Sequence, residues 1–280
     1  MSKNLTSVAK AEFDTMVKHA FQGAGKLKST TTYRGNVTGS TYAFRLMGKG
    51  QGHQRTGSSS LVVPMDVTHG LPTATLTDHE HPEYTDIYDQ ATVNFDEKEQ
   101  LTQTIGKAMG RTVDQIGIDT LIAGTYNTTA TAAQGFDIAA GGTGFTTAKL
   151  RALRAYYEDL EVEDQICILT SGTGKERLLA NTETTSSDFT TVKALVNGDI
   201  DTFMGFKFLT VGARRLEGGL AGSGLVAYAY TQNSLGIASG IDERLSVDWV
   251  PERSSWLSNG MLKAGSVIID PEGTARIAFI

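Results

Sequence analysis

DEKEQLTQTIGKAMGRTVDQIGIDTLIAG, residues 96–124, is the stretch whose reading decides the fold. Leu101, Ile105, Ala108, Met109, Thr112, Val113 and Ile116 recur at three- and four-residue steps, which places them on one face of a helix. Asp96 is positioned to cap the first turn, and Glu99, three residues on, to reach back to the Asp96 amide. Gly124 follows Leu121 and Ile122 as a helix-ending glycine. A helix of about 27 residues spans ~40 Å at ~1.5 Å per residue, more than twice the average length of ~11–12 residues. Charges run through it, which does not suit a membrane span. A lone helix of this length between strands is an element from which other parts hang. Gly106, Gly110 and Gly117 interrupt it, each at a cost of ~1 kcal/mol relative to Ala. Close packing against neighbours accounts for them first, bending of the helix second.

Around this helix the 280-residue chain has a globular composition, 40% apolar and 20% charged, with 31 Gly and only 5 Pro. It is long enough for one large or two modest domains with a real core. The single Cys167 excludes an internal disulfide. It lies in the apolar run Ile166-Cys167-Ile168-Leu169, the setting of a buried structural thiol rather than a nucleophile. MSKNLTSVAKAEF lacks the apolar core of a signal peptide. No apolar run reaches the ~18 residues of a membrane helix, and no membrane partner is expected.

Charge is unevenly placed. Residues 1–56 are basic, with only Glu12 and Asp14 as acids, whereas residues 57–105 are acidic, with Lys98 the one base. The plain explanation is two solvated surfaces. The sharper one is a basic segment of one copy, with Arg34, Arg45, Lys49 and Arg55, meeting the acidic segment of another, with Asp86, Asp89, Glu97 and Glu99. The bases are too thinly spread, and aromatic residues among them too few, for a nucleic-acid site.

In chain order, residues 1–29 read as a thin arm, with a rough stripe of Val8, Phe13, Met16, Val17 and Phe21 ahead of Gly23-Ala24-Gly25. Residues 30–77 read as a long two-stranded projection. Tyr42, Phe44 and Leu46 alternate with Ala43 and Arg45, the tip at 48–60 is rich in Gly and Ser, and Leu61-Val62-Val63 begins the return strand ahead of Pro64. Isolated two-stranded ribbons are marginal in water, so this projection needs a neighbour. Residues 78–95 are expected as a strand with Ile87, Ala91, Val93 and Phe95 on one side. Residues 124–144 read as a low-charge loop or irregular ribbon. From 146 to 240 helices and strands alternate as a compact α/β unit. Leu150, Leu153, Tyr157 and Leu160 mark a helix capped by Thr146 or Thr147, 165–170 a buried strand, 175–180 a short helix, 189–197 a further helical turn, and 206–211 and 225–230 strands. Val267–Ile269 and Ile277–Ile280 are expected to form a closing hairpin through a type I turn at Asp270-Pro271-Glu272-Gly273.

Candidate chemistry is thin. Ser171-Gly172-Thr173-Gly174-Lys175-Glu176 follows a strand and opens a helix, as a phosphate loop does. However, the first required glycine would fall at Leu169 and the Mg²⁺-binding hydroxyl at Glu176. His79 and His81 share one side of an extended segment, but no further ligands are spaced near them. No GxSxG and no Cys/His pair is present. Neither an enzyme nor a cofactor is indicated. A nucleotide- or metal-dependent enzyme built on Lys175 or His79/His81 is the remote alternative.

The order of parts carries a resemblance. Thin arm, Gly-tipped hairpin, strand, long helix, α/β unit and closing β segment together resemble the major capsid protein of tailed bacteriophages, the Hong Kong 97-like capsid fold of class α+β. YTDIYDQATVNFDEKEQLTQTIGKAMGRTVDQIGIDTLIAG (84–124) is similar to that family's strand plus spine helix, and GSVIIDPEGTARIAFI (265–280) to its last P-domain hairpin. The resemblance implies an N-arm at 1–29, an E-loop at 30–77, a P-domain at 78–145 and 241–280, and an A-domain at 146–240. It implies a coat protein that assembles into hexamers and pentamers of an icosahedral head around double-stranded DNA, formed in the bacterial host cytoplasm. Its implied partners are further copies of itself, a portal and cement proteins. Only about 30 residues precede the hairpin, too few for a built-in scaffolding segment, so a separate scaffolding protein is expected. Some members cross-link through an E-loop Lys. Lys49 is the one Lys at the tip, no motif identifies a partner Asn, and the cross-link is not carried over. Encapsulin-like compartments share the fold and are the alternative within it.

Overall fold

The computed structural model describes residues 25–91, 97–129, 134–180, 202–212, 220 and 225–280. The stripe at 8–21, the helical turn at 189–197 and the Asp96 cap lie outside them.

The chain begins with three short strands, Thr32–Arg34 (β1), Thr41–Ala43 (β2) and Leu46–Met47 (β3). His69–Gly70 (β4), Thr73–Thr75 (β5), Thr77–Asp86 (β6) and a helical turn, Ile87–Gln90 (α1), follow. The long helix is Glu97–Ala123 (α2), 27 residues. Then come Tyr126–Asn127 (β7), Gly135–Ile138 (β8), Thr147–Asp159 (α3), Ile166–Ser171 (β9), Gly172–Leu179 (α4), Thr202–Phe203 (β10) and Phe206–Val211 (β11). The last strands are Val226–Thr231 (β12), Leu235–Val250 (β13), Ser255–Ile268 (β14) and Thr274–Ala278 (β15).

Two sheets carry the body. One has the order β1-β13-β14-β6 and is antiparallel except for β1. The other has the order β10-β11-β9-β12-β15-β8-β7. Helix α2 lies across the first sheet. Its Ile105 and Met109 occupy the space above Gly260 of β14, where a Cβ would stand 2.4 Å from Ile105. Val113, Ile118 and Leu121 continue into a cluster with Leu235, Ile237 and Leu262 of the first sheet and Cys167, Leu169 and Tyr230 of the second. The helix therefore bolts the sheets together. The opposite face of the second sheet is covered by Leu150, Leu153 and Tyr157 of α3, packed on Ile166, Ile168, Phe206, Phe208 and Ile277. Strand β9 is buried at all six positions because α2 covers one of its faces and α3 the other.

Three expectations are corrected and one is made specific. The strand expected over 78–95 stops at Asp86, whose carboxylate accepts from the Tyr88 amide at 2.8 Å and caps α1 instead; residues 92–96 lie outside the described set. The loop or irregular ribbon expected at 124–144 contains β7 and β8, strands of two and four residues, too short to leave a periodic signal. The expected return strand at Leu61–Val63 is not a strand. Pairing between the two arms of the projection is confined to β2–β5 and β3–β4 near its root, and the Gly-rich tip beyond Gly48 has no ladder. The closing hairpin is not formed. The Asp270–Gly273 turn exists, with the Gly273 amide bonded to the Asp270 carbonyl at 3.2 Å, but it carries the chain between sheets. β14 pairs with β13 and β6, while β15 inserts between β12 and β8.

The glycines of α2 divide. Gly106 faces open space, whereas a Cβ on Gly117 would meet Leu27 at 2.8 Å. Gly124 does not adopt a left-handed conformation. It is small because Ile268 and the Tyr126 hydroxyl approach to 2.8 and 2.9 Å of where its Cβ would be.

Candidate functional site

The projecting loop has a built root and an unpartnered tip. At the root, Phe44, Ala74 and Leu76 are buried against Ala238 and Ile269, with Tyr42 edge-on to Phe44 at 4.9 Å. The ribbon thus buries its root against its own subunit but not its whole length. The tip is the reverse. Leu61 is 92% and Val62 95% exposed, and Val63, Met65 and Met47 are also largely exposed. A contiguous apolar run left in water marks an interaction surface.

The loop is held along the body by the Lys49 ammonium, which reaches Glu272 Oε2 at 2.5 Å. The Glu272 carbonyl in turn accepts from the Tyr156 hydroxyl at 2.7 Å. Lys49 is 75% exposed, so solvent screens the pair. The Lys49→Met variant is expected to keep its unfolding free energy within about 1 kcal/mol of the native chain. A larger loss in chemical denaturation would show the pair to be structural.

The sequence-predicted charges are placed as follows. Arg34 lies at the exposed end of β1, and Arg45 is exposed between β2 and β3. Arg55 turns back to the Ser58 carbonyl within the tip. Asp86 caps α1, while Asp89 and Glu99 are exposed; the Glu97 side chain lies outside the described set. Strand register orders these groups along the molecule. Asp86 is opposite Ser255, Thr77 opposite Ala264, Phe44 lies against Ile269, and Lys49 meets Glu272. Ten residues of β6 separate the loop root from Asp86, about 30 Å at ~3.3 Å per residue. The root of the loop and Asp86 therefore lie at the two ends of β6.

Sequence reasoning missed the aromatic groups at that acidic end. Trp249 and Trp256 flank the β13–β14 turn, edge-to-face at 5.4 Å, and Arg253 lies over the Tyr84 ring at 4.6 Å. Tyr84, Ile87 and Tyr88 are exposed beside them. The signal was present in WVPERSSW (249–256), a Pro-containing turn between two tryptophans, and was passed over because no periodicity marks it.

The groups weighed for chemistry have structural partners. His81 Nε2 is 2.9 Å from Thr112 Oγ1 of α2, and His79 Nε2 is 2.9 Å from Thr77 Oγ1. Burial lowers the His81 imidazole from its usual range. Ser171 accepts from the Gly174 amide at 3.2 Å, the cap of an ordinary helix start. Cys167 is buried, and burial pushes its thiol up. Among the described residues no three His, Cys, Asp or Glu side chains are grouped to hold a metal ion, and no helix is long and apolar enough to cross a membrane.

The fold thus combines a long helix across a largely antiparallel sheet, a second helix-covered sheet, and a loop with an exposed apolar run. A family model described as phage capsid protein matches residues 5–280, and the chain belongs to that family. No curated protein matches it. Solved structures share the fold at low identity. A capsid chain of the cyanophage P-SCSP1u is 16% identical with a TM-score of 0.76, over 100% of this chain and 95% of that one. A chain of Mycobacterium phage Che8 is 11% identical with a TM-score of 0.76, over 99% and 98%. A head chain of Helicobacter pylori bacteriophage KHP40 is 9% identical with a TM-score of 0.70, over 100% and 98%. The protein is thus a phage capsid protein of the Hong Kong 97-like fold, with a structural role in the virion shell.

Proposed function

We propose that this chain is the subunit of an icosahedral head that closes from hexamers and pentamers around double-stranded DNA, assembled in the bacterial cytoplasm without catalysis. The observation that carries the reading is the loop, packed at Phe44 and Ala74 but wholly exposed at Leu61 and Val62. A subunit with such a tip hides it only by seating it on another copy. Repeated around a ring, that contact is heterologous and closes a capsomer. The division proposed is an arm at 1–29, the loop at 30–77, a peripheral unit at 78–145 and 241–280, and an axial unit at 146–240, with β7, β8 and β15 belonging by their pairing to the axial sheet. A separate scaffolding protein, a portal and cement proteins are the further partners this reading brings.

Contacts between copies join Arg34, Arg45, Lys49 and Arg55 of one loop to Asp86, Asp89, Glu97 and Glu99 of the next subunit. The placement of the loop root and Asp86 at the two ends of β6 supports this. The double variant Arg45→Glu, Arg55→Glu is expected to remain folded and to yield few closed particles in negative-stain microscopy. Native particle yields from it would rule the pairing out. DNA rather than foreign protein inside purified particles separates a phage head from an encapsulin-like compartment.

A further inference from the structure

The long helix carries a stripe that reads the chain's entry into the body. Gly110, Asp114 and Gly117 are spaced four and three residues apart, so they share one helical face. Each meets a successive residue of the incoming segment. A Cβ on Gly25 would stand 2.8 Å from the Gly110 carbonyl oxygen. Asp114 is 3% exposed, and its carboxylate accepts from the Lys26 amide at 2.9 and 2.8 Å and from the Leu27 amide at 2.9 Å. The Leu27 side chain, 0% exposed, fills the space left by Gly117. The same few residues are tied elsewhere. Lys26 Nζ donates to the Thr210 carbonyl of β11 at 2.7 Å, and Lys28 Nζ pairs with Glu243 of β13 at 3.5 Å.

We propose that Gly110, Asp114 and Gly117 form a clasp that fixes the path of residues 25–28, strapping them across the long helix and to both sheets. Asp114 acts as a positioning residue. A buried carboxylate is costly unless its acceptors are met. Here both oxygens are met by backbone amides that any residues other than proline at 26 and 27 would supply. The clasp thus recognises the path of the chain, while Gly25 and Leu27 add shape. The packing also explains two glycines: Gly25 allows the chain to cross the backbone of α2 at Gly110, and Gly117 of α2 admits the leucine. A 210 Å³ cavity lined by Gly25, Gly106, Gly110 and Glu243 adjoins the crossing. The clasp is a property of the single subunit and goes beyond the shell reading.

Amide hydrogen exchange on the full chain, unassembled, tests it. In Asp114→Asn, one acceptor becomes a donor with the shape unchanged. The Lys26 and Leu27 amides are expected to exchange roughly tenfold or more faster, as for loss of a charge-assisted hydrogen bond, while Ile168 and Leu169 of β9 keep their protection. Trypsin cleavage after Lys26 is expected to accelerate in parallel. Gly25→Ala, which forces the crossing apart without touching the carboxylate, is expected to do the same. Unchanged exchange at Lys26 and Leu27 in both folded variants would overturn the clasp. So would equal loss of protection at β9, which would make Asp114 a general stability residue. Because the readout needs no particles, its failure is distinct from failure of assembly.

Discussion

Leu61→Asp with Val62→Asp is expected to leave the subunit folded and to abolish shell formation. Both side chains are more than nine-tenths exposed, at 92% and 95%. Surface substitutions of this kind change stability by about 0.5 kcal/mol or less. The melting temperature of the unassembled subunit should therefore be unchanged. In a neighbour's seat the same positions lose their water. A carboxylate buried there without a partner costs several kcal/mol per contact, and a shell repeats the contact in every subunit. Sedimentation should show capsomers or free subunits where the native chain gives particles. Particles of native size and yield would mean that the tip is not an assembly surface.

Gly265→Ala is expected to act on the fold instead. A Cβ at this position would lie 2.1 Å from the Thr75 carbonyl oxygen and 2.7 Å from its carbon. Neither atom can retreat cheaply. Thr75 is paired with Thr41 across β2 and β5, and the next amide, Leu76, is bonded to the Ser40 carbonyl at 2.8 Å. Relief must come from lifting the loop root off β14, which opens the cluster of Phe44, Leu76 and Ile269. Overpacking of this kind costs ~1–3 kcal/mol or more, a fall of several degrees in melting temperature for a chain of this size. Calorimetry showing no change would mean that the strand crossing is looser than its geometry implies. The two variants separate the loop's roles: its root is part of the subunit's core, and its tip serves the assembly.

Legibility of the fold varied with the range over which each element is decided. The periodicity of Ile105, Met109 and Val113 sufficed for a 27-residue helix, and an unbroken apolar run for β9. The loop's alternation at Tyr42 and Phe44 pointed to a strand, but the apolar run at Leu61 read as its return when it is a surface. Val267–Ile269 and Ile277–Ile280 looked like a hairpin because they are close in sequence. Sheet order overruled proximity, since β15 completes a seven-stranded sheet by filling the gap between β12 and β8. Of the candidate site, the charged residues were legible as an asymmetry. Their separation along β6 was not, because it depends on register with β14.

What the sequence determined by itself was the local part: the long helix, the buried strand, the exposed Gly-rich tip and the family these parts resemble. Helical hydrogen bonds and the faces they create are settled within a few residues, so their pattern survives in one dimension. What only the tertiary structure decided lies between distant residues. Asp114 receives amides 88 residues away, β1 at Thr32 pairs with Gly236, and Gly117 is small because of Leu27. Such contacts depend on which surfaces meet after the helix is laid across the sheet, and backbone amides that bind a carboxylate leave no trace in the identity of the residues that supply them.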